Sequence, residues 1–338
     1  MELAQLLQRL CAAPGPSGRE DAARDEAEKI VNELGLGPCQ VTPLGSLLCT
    51  LKPGSRPVML EAHLDQIGLV VTRVEEGFLR FHRIGGSDRR LLPAQRVTVR
   101  TAGGPRPGVV ASVPPHLKDP DSDKPPRWED MLIDTGCTPE TAKKLFAPGD
   151  TITVDGAYVQ LAGGRVACPA LDDRAGCAAV LWAGKLLAEA GCPAPVTLAL
   201  CSFEEIGGHG AATAAFAARP GSCYAVDVSF AEAPGIAPEK CGRLGAGPMI
   251  GIAPILNRTL TAGLRDAAAA NGIPCQVEVM GGDTGTDADG IVATAGGIPT
   301  GLLSIPLRNM HTPVEEVELQ DVENTARLMA LAVMGGTK

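Results

Sequence analysis

Aromatic residues are scarce in this 338-residue chain: six Phe, two Tyr and two Trp, 3% of the total. A core built on stacked rings is excluded, so the 45% of hydrophobic residues must form one from Ala, Val, Leu and Ile. Positive charge is also in deficit. Thirty Lys and Arg against 39 Asp and Glu leave a formal charge of −9. That argues against nucleic acid, whose phosphates are bound mainly by Lys and Arg. No apolar run approaches the roughly 20 residues of a membrane-spanning helix, and a membrane partner is not expected. The N-terminus, Met1-Glu2-Leu3-Ala4-Gln5-Leu6-Leu7, has no basic start and its apolar residues are interrupted. No signal peptide is expected, which points to a cytoplasmic location. The 11 cysteines include no C-x-x-C pair. They are expected to be reduced and mostly buried, not gathered into a zinc cluster.

What is present is an alternation of patterns. Leu3, Leu6, Leu7, Leu10 and Cys11 recur at helical spacing, so residues 2–12 read as an amphipathic helix. Ser17-Gly18-Arg19-Glu20 has the form of a capping box opening a second helix to about Leu34. Val58 to His63 reads as a mostly buried strand. From Ile67 to Val166 the chain changes to short Val/Thr-rich runs with Gly turns: residues 68–72, 78–81, 96–99 and 150–154. The Pro/Asp-rich stretch His116 to Trp128 is a long loop, and Lys118 to Arg127 within it a solvated segment. Strands then alternate with helices again: strands 196–201, 224–228 and 299–305; helices 173–190, 211–218, 258–271 and 317–334. The fold class is therefore α/β, a mixed sheet with helices on both faces, carrying an inserted small β-barrel-like domain. The division is 1–66 with 167–338 for the main domain and 67–166 for the insertion.

The informative feature is where acids and histidines fall. Sites of open α/β sheets lie beyond the carboxyl ends of the strands. His63 ends one strand, Glu204-Glu205 follows another, and Asp227 lies near the end of a third. Asp172 opens a helix, and His311 follows the last strand by a few residues. Two imidazoles and three carboxylates suit zinc, cobalt or manganese. One carboxylate shared between two divalent ions would give each ion three protein ligands. Such a pair of ions acidifies a shared water and polarises a carbonyl oxygen. A neighbouring free carboxylate can then move the proton. Asp65, two residues after His63, is placed to accept that ring's other N–H.

These segments resemble one family throughout its length. His63-Leu64-Asp65-Gln66-Ile67-Gly68, Ala170-Leu171-Asp172-Asp173-Arg174, Phe203-Glu204-Glu205-Ile206-Gly207, Ala225-Val226-Asp227-Val228, Gly285-Thr286-Asp287-Ala288 and Met310-His311-Thr312-Pro313-Val314-Glu315 occur in order. They resemble the M42 metallo-aminopeptidases, the tetrahedral aminopeptidases that include glutamyl and leucyl enzymes. The resemblance implies removal of N-terminal residues from short peptides, with two divalent metal ions per subunit, Zn²⁺ or Co²⁺ with Mn²⁺ as a further option. It implies His63 and Asp227 on one metal, Glu205 and His311 on the other, Asp172 bridging, and Glu204 as general base. It implies a main domain of the phosphorylase/hydrolase-like metallopeptidase type and a cis bond between Asp172 and Asp173. It also implies that the insertion is a dimerisation domain and that dimers build a hollow homo-oligomeric dodecamer. Gln66 stands where the family more often has Glu, and Gly208-His209 where it has Leu-Arg.

The remaining histidines, His82, His116 and His209, read as structural or surface residues, with His209 near enough to the site to touch substrate. The rival reading is another two-metal amidohydrolase, an N-acyl amino acid deacylase or a carboxypeptidase. Arg243 and Arg308 would then be available for a substrate carboxylate. A glycosidase would need neither the histidines nor Asp227, and the chain has few aromatics for sugars.

Overall fold

A computed structural model describes residues 1–117 and 125–335. Residues 118–124 of the expected loop lie outside the described residues; at its far end Trp128–Asp130 makes a 3₁₀ turn. Eight strands form the main sheet, in the order Cys39–Val41, Leu47–Lys52, Val196–Cys201, Val58–His63, Ser222–Phe230, Thr300–Leu307, Met249–Ile252, Gln276–Val279. The four central strands run parallel. Strands Leu47–Lys52 and Met249–Ile252 join this group antiparallel. The sheet is mixed, as the sequence indicates.

Alternate residues of the central strands enter different cores, because strand side chains alternate faces. Leu60, Ala62, Leu198, Leu200, Val226 and Val228 pack with helices Leu3–Ala12, Asp21–Leu34, Leu171–Glu189, Arg258–Asn271 and Leu319–Gly335. Met59, Ala199, Cys201 and Cys223 pack on the other face, against helices His209–Ala218 and Asp287–Val292. Arg174, fully buried, donates to the carbonyls of Leu10 (2.7 Å) and Ala13 (3.2 Å). It thereby ties the end of the first helix, whose carbonyls lack helical partners, to the site.

Six strands, Gly68–Glu75, Phe78–Ile84, Ile133–Asp134, Gly104–Val110, Arg96–Thr101 and Thr151–Val154, close into a barrel in that order. Closure leaves no free edge. Leu69, Val71, Leu79, Phe81, Val97, Val99 and Ile152 fill it. Gly104–Val110 was hidden from the sequence pattern by its two prolines, and helix Pro139–Leu145, capped by Thr138, by its brevity. After the barrel, Val159–Gln160 and Arg165–Cys168 pair in a small sheet with Glu315–Glu318.

Several expectations need correction. The last helix begins at Leu319 rather than Val317, because residues 315–318 pair with Arg165–Cys168. Ser17 does not cap the second helix, which starts at Asp21 with no side-chain cap. Its hydroxyl instead donates to Asp65 Oδ2 at 2.5 Å. Cys39 and Cys49 are joined in a disulfide rather than reduced. They stand directly opposite on an antiparallel hairpin, Cα atoms 4.1 Å apart, a proximity that spacing alone does not signal. The other nine cysteines are free, and Cys168, Cys177, Cys192, Cys201 and Cys223 are buried. Among the described residues no helix is long and apolar enough to cross a membrane.

Candidate metal centre

Parallel pairing of Val58–His63 with Val196–Cys201 sets His63 opposite Cys201. Both chain segments then leave the sheet at the same edge. The backbone turns sharply there: Ala170, Phe203 and His311 all hold positive φ, at 63°, 64° and 62°. Such conformations are costly for residues with side chains and cluster at functional sites. Here each lies at or beside a residue of interest. The Asp172–Asp173 peptide is cis.

The turns bring the acids and imidazoles together. His63 Nε2 lies 3.1 Å from Asp172 Oδ1, 3.8 Å from Asp227 Oδ1 and 4.0 Å from Glu204 Oε2. His311 Nε2 lies 3.2 Å from Asp172 Oδ2 and 3.5 Å from Glu205 Oε2. The two oxygens of Asp172 therefore face different imidazoles. Two donor sets result, His63/Asp172/Asp227 and Asp172/Glu205/His311, each with its donor atoms within 4.8 Å of one another. No Lys or Arg among the described residues pairs with these carboxylates. A buried acid cluster without a cationic side chain is expensive, so the donors fit divalent cations in both number and type.

Electrostatics follow from this crowding. Burial and the neighbouring acids push Glu204 up to about 7 and raise Glu205 and Asp227. Burial would also raise Asp172, but hydrogen bonds with His311 and His63 outweigh it and hold that carboxyl well below its usual range. Asp172 and Glu205 push His311 up to about 11. For His63, burial lowers the value, yet Asp172 and Asp65 outweigh burial and the imidazolium is strongly favoured. As ligands both imidazoles would be neutral, so a bound cation would displace the protons that these acids favour.

The supporting residues are as specific as the donors. His63 Nδ1 sits 3.2 Å from the Asp65 carbonyl oxygen and 3.5 Å from its carboxylate. That carboxylate accepts the amide N–H groups of Glu204 (3.0 Å) and Glu205 (3.2 Å), besides Ser17. Asp65 thus fixes the Glu204-Glu205 turn as well as the ring. Glu315, buried, accepts the amides of Asp172 (3.1 Å) and His311 (2.8 Å), clamping segments 139 residues apart or more to one carboxylate. Gly86 lets the barrel approach: its carbonyl lies 3.2 Å from His311 Nδ1, and a Cβ there would stand 2.5 Å from that nitrogen. Ser17, Gly86 and Glu315 were not singled out as site residues by the sequence, although Glu315 ends the H-T-P-V-E segment.

Other singled-out residues fall elsewhere. Asp173 accepts the amide of Gly176 at 2.8 Å and caps the helix. Gln66 accepts the amide of Gly15 at 3.2 Å, bracing the loop before Ser17. His209 is exposed at the start of its helix, and neither cavity beside the centre reaches it. His82 and His116 are exposed. Arg308 donates to the Glu232 carbonyl, and Arg243 lies 3.8 Å from the same residue. Neither arginine lines a cavity at the centre.

Two cavities open at the donor sets. One, about 40 Å³, lies between barrel and main sheet and is lined by Ile67, Leu69, Leu92 and Pro313. The other, about 380 Å³, touches Asp172, Glu204, Glu205, Asp227 and His311.

The fold and its donors define an α/β protein with paired candidate metal-ligand clusters at the carboxyl edge of its sheet. The family model described as M42 glutamyl aminopeptidase matches residues 45–328. The chain is 34% identical to a lysyl aminopeptidase of Pyrococcus furiosus, over 96% of this chain and 94% of that one. A TET aminopeptidase from a marine-sediment Thaumarchaeota archaeon superposes with TM-score 0.92 at 32% identity, over 98% and 96% of the two chains. The Pyrococcus horikoshii TET1 peptidase, able to assemble into a tetrahedron or a large octahedral shell, does so with TM-score 0.87 at 31% identity, over 98% of each. The chain belongs to the M42 family of aminopeptidases.

Proposed function

We propose that this chain removes N-terminal amino acids from short peptides using two divalent cations. His63 and Asp227 would hold one, Glu205 and His311 the other, with Asp172 bridging. The observation that carries the reading is the division of the Asp172 oxygens between His63 and His311. Zinc or cobalt suit these donors best, and manganese is compatible. Cations bound there would acidify a water and polarise the scissile carbonyl.

Glu204 lies 4.0 Å from His63 Nε2 and lines the larger cavity, without being a member of either donor set. It takes the proton of the attacking water and returns it to the leaving amine. Asp65 acts as a positioning residue: through the two Glu amides it holds Glu204 in reach of the water. The rival deacylase or carboxypeptidase reading needs a cation for the substrate carboxylate. Among the described residues no Lys or Arg lines either cavity, which favours a substrate presenting an amine at this end.

The assembly belongs to the same reading. The inserted module, 67–166, would pair two subunits, and dimers would build a dodecameric shell; the TET likeness supports this. A cytoplasmic location would keep the nine free cysteines reduced.

The test is release from free-amine and acetyl-capped aminoacyl p-nitroanilides by metal-stripped protein, before and after Zn²⁺, Co²⁺ or Mn²⁺ is restored. Metal-dependent release from the free-amine set alone is expected. The Glu204→Gln substitution should lower kcat by about 10²–10⁴-fold while bound metal stays at the wild-type level. Undiminished turnover would remove Glu204 from the role of base.

A further inference from the structure

The larger cavity holds one acid that the proposed chemistry leaves unused. Glu278 lies on Gln276–Val279, the edge strand of the main sheet, and its carboxylate reaches the cavity wall. One oxygen accepts the hydroxyl of Ser304 at 2.7 Å, and the other that of Ser229. Both serines are tied to the centre by the sheet. Ser229 is two residues beyond Asp227 and so on the same face, and Ser304 is the register partner of Asp227 on the next strand.

A carboxylate offers about four acceptor positions, and two are used. No Lys or Arg pairs with Glu278 among the described residues, although the chain uses such pairs freely elsewhere, as at Arg9–Glu26 and Arg165–Glu318. Hydroxyl donors orient the carboxylate without neutralising it. Apolar surface flanks it: Phe230, Met280 and Leu302 line the same cavity. A fixed negative charge beyond an apolar stretch matches a side chain with a methylene stem and a cationic tip.

We propose that Glu278 makes this cavity select substrates whose N-terminal residue is lysine or arginine. The inference rests on the aminopeptidase reading above and names the substrate class of that same site. The side chain of the first residue enters the cavity, its stem against Met280 and Phe230. Its ammonium or guanidinium meets the Glu278 carboxylate, and the carbonyl to be cleaved stays at Asp172 and Glu204.

The experiment compares kcat/KM for lysyl, arginyl, norleucyl and glutamyl p-nitroanilides with the metal-loaded enzyme and its Glu278→Gln variant. Norleucine keeps the methylene stem and lacks the charge. Wild-type enzyme should favour lysyl over norleucyl substrate by roughly 10–100-fold, the value of a charged hydrogen bond. In the variant, that ratio should collapse towards one. Glu278→Gln keeps the shape and an acceptor for the serines, and the wild-type ratio stands as evidence even if the variant is unstable. Norleucyl turnover equal to or faster than lysyl in wild type would overturn the inference and leave the aminopeptidase reading intact. So would an equal loss on every substrate in the variant, which would place Glu278 at the α-amine instead. No release from any substrate would overturn both.

Discussion

Two acid clusters lie on the same face of the same sheet, and only one of them includes imidazoles. In the first, Asp172, Glu205, Asp227 and His311 line a cavity, and the buried His63 stands beside them. In the second, Glu61 and Asp287 meet Cys201 with their donor atoms within 4.8 Å, and all three side chains are buried. Glu61 is only two residues before His63 on one strand. None of the four carboxyl oxygens of Glu61 and Asp287 has a hydrogen-bond partner among the described residues. Burial pushes Glu61 up to about 8 and Asp287 well above its usual range. Two buried acids facing each other without a cationic neighbour favour the protonated form. Identical residue types thus serve opposite ends. Imidazoles and an adjoining cavity suit the first cluster to ligation; the second, buried and without them, suits a protonated pair.

The contrast breaks first at the ligands. Asp172→Ala removes the one carboxylate common to both donor sets, so bound cation should fall to background and turnover should vanish. Asp287→Asn puts an amide donor where a shared proton stands. It should keep the full cation content, with stability within about 1 kcal/mol of wild type. Elemental analysis after dialysis reads both. If Asp287→Asn lost metal as completely as Asp172→Ala, the two clusters would be one site and the comparison wrong.

Thermal unfolding with and without chelator sharpens the same distinction. A ligand that binds only the folded state adds about 2.7 kcal/mol at a hundredfold excess over its Kd. Removing cations also leaves the acids of the first cluster facing each other unscreened. The expected result is a fall in Tm on chelation, reversed by Zn²⁺. Glu61→Gln should show the same fall as wild type, as expected of a protonated pair with no cation to lose. A Glu61→Gln protein insensitive to chelator would reverse that assignment.

The sequence made the first cluster legible because its residues sit at strand ends within short, ordered segments such as Ala170-Leu171-Asp172-Asp173-Arg174. The second was illegible for a physical reason. Glu61 reads as one polar residue in an apolar strand, and its partner is 226 positions away. Strands rich in Val, Leu and Ala, such as Val196–Cys201, stood out. Met249–Ile252 and Gln276–Val279 did not, being four residues each, and neither did the six-residue Leu47–Lys52. The same limit applied to Ser17. Ser-x-x-Glu before a helix is a local pattern, whereas the hydroxyl's partner, Asp65, is 48 residues distant.

Ser17 therefore gives the subtlest test of how the metal cluster is held. Its hydroxyl is one of four groups around the Asp65 carboxylate, alongside two backbone amides and the His63 ring. Ser17→Ala deletes that donor and leaves the others in place, so Asp65 remains satisfied. The loss should be about 1 kcal/mol of stability, with a drop of a few-fold in kcat as the Glu204 turn loosens. Cation content should not change, because no donor atom moves out of its set. Ser17→Thr, which keeps the hydroxyl, should recover most of the rate. A Ser17→Ala enzyme with wild-type kcat and lowered Tm would confine Ser17 to the fold. One with lost metal would show that the hydroxyl acts on His63 through Asp65 and not on Glu204.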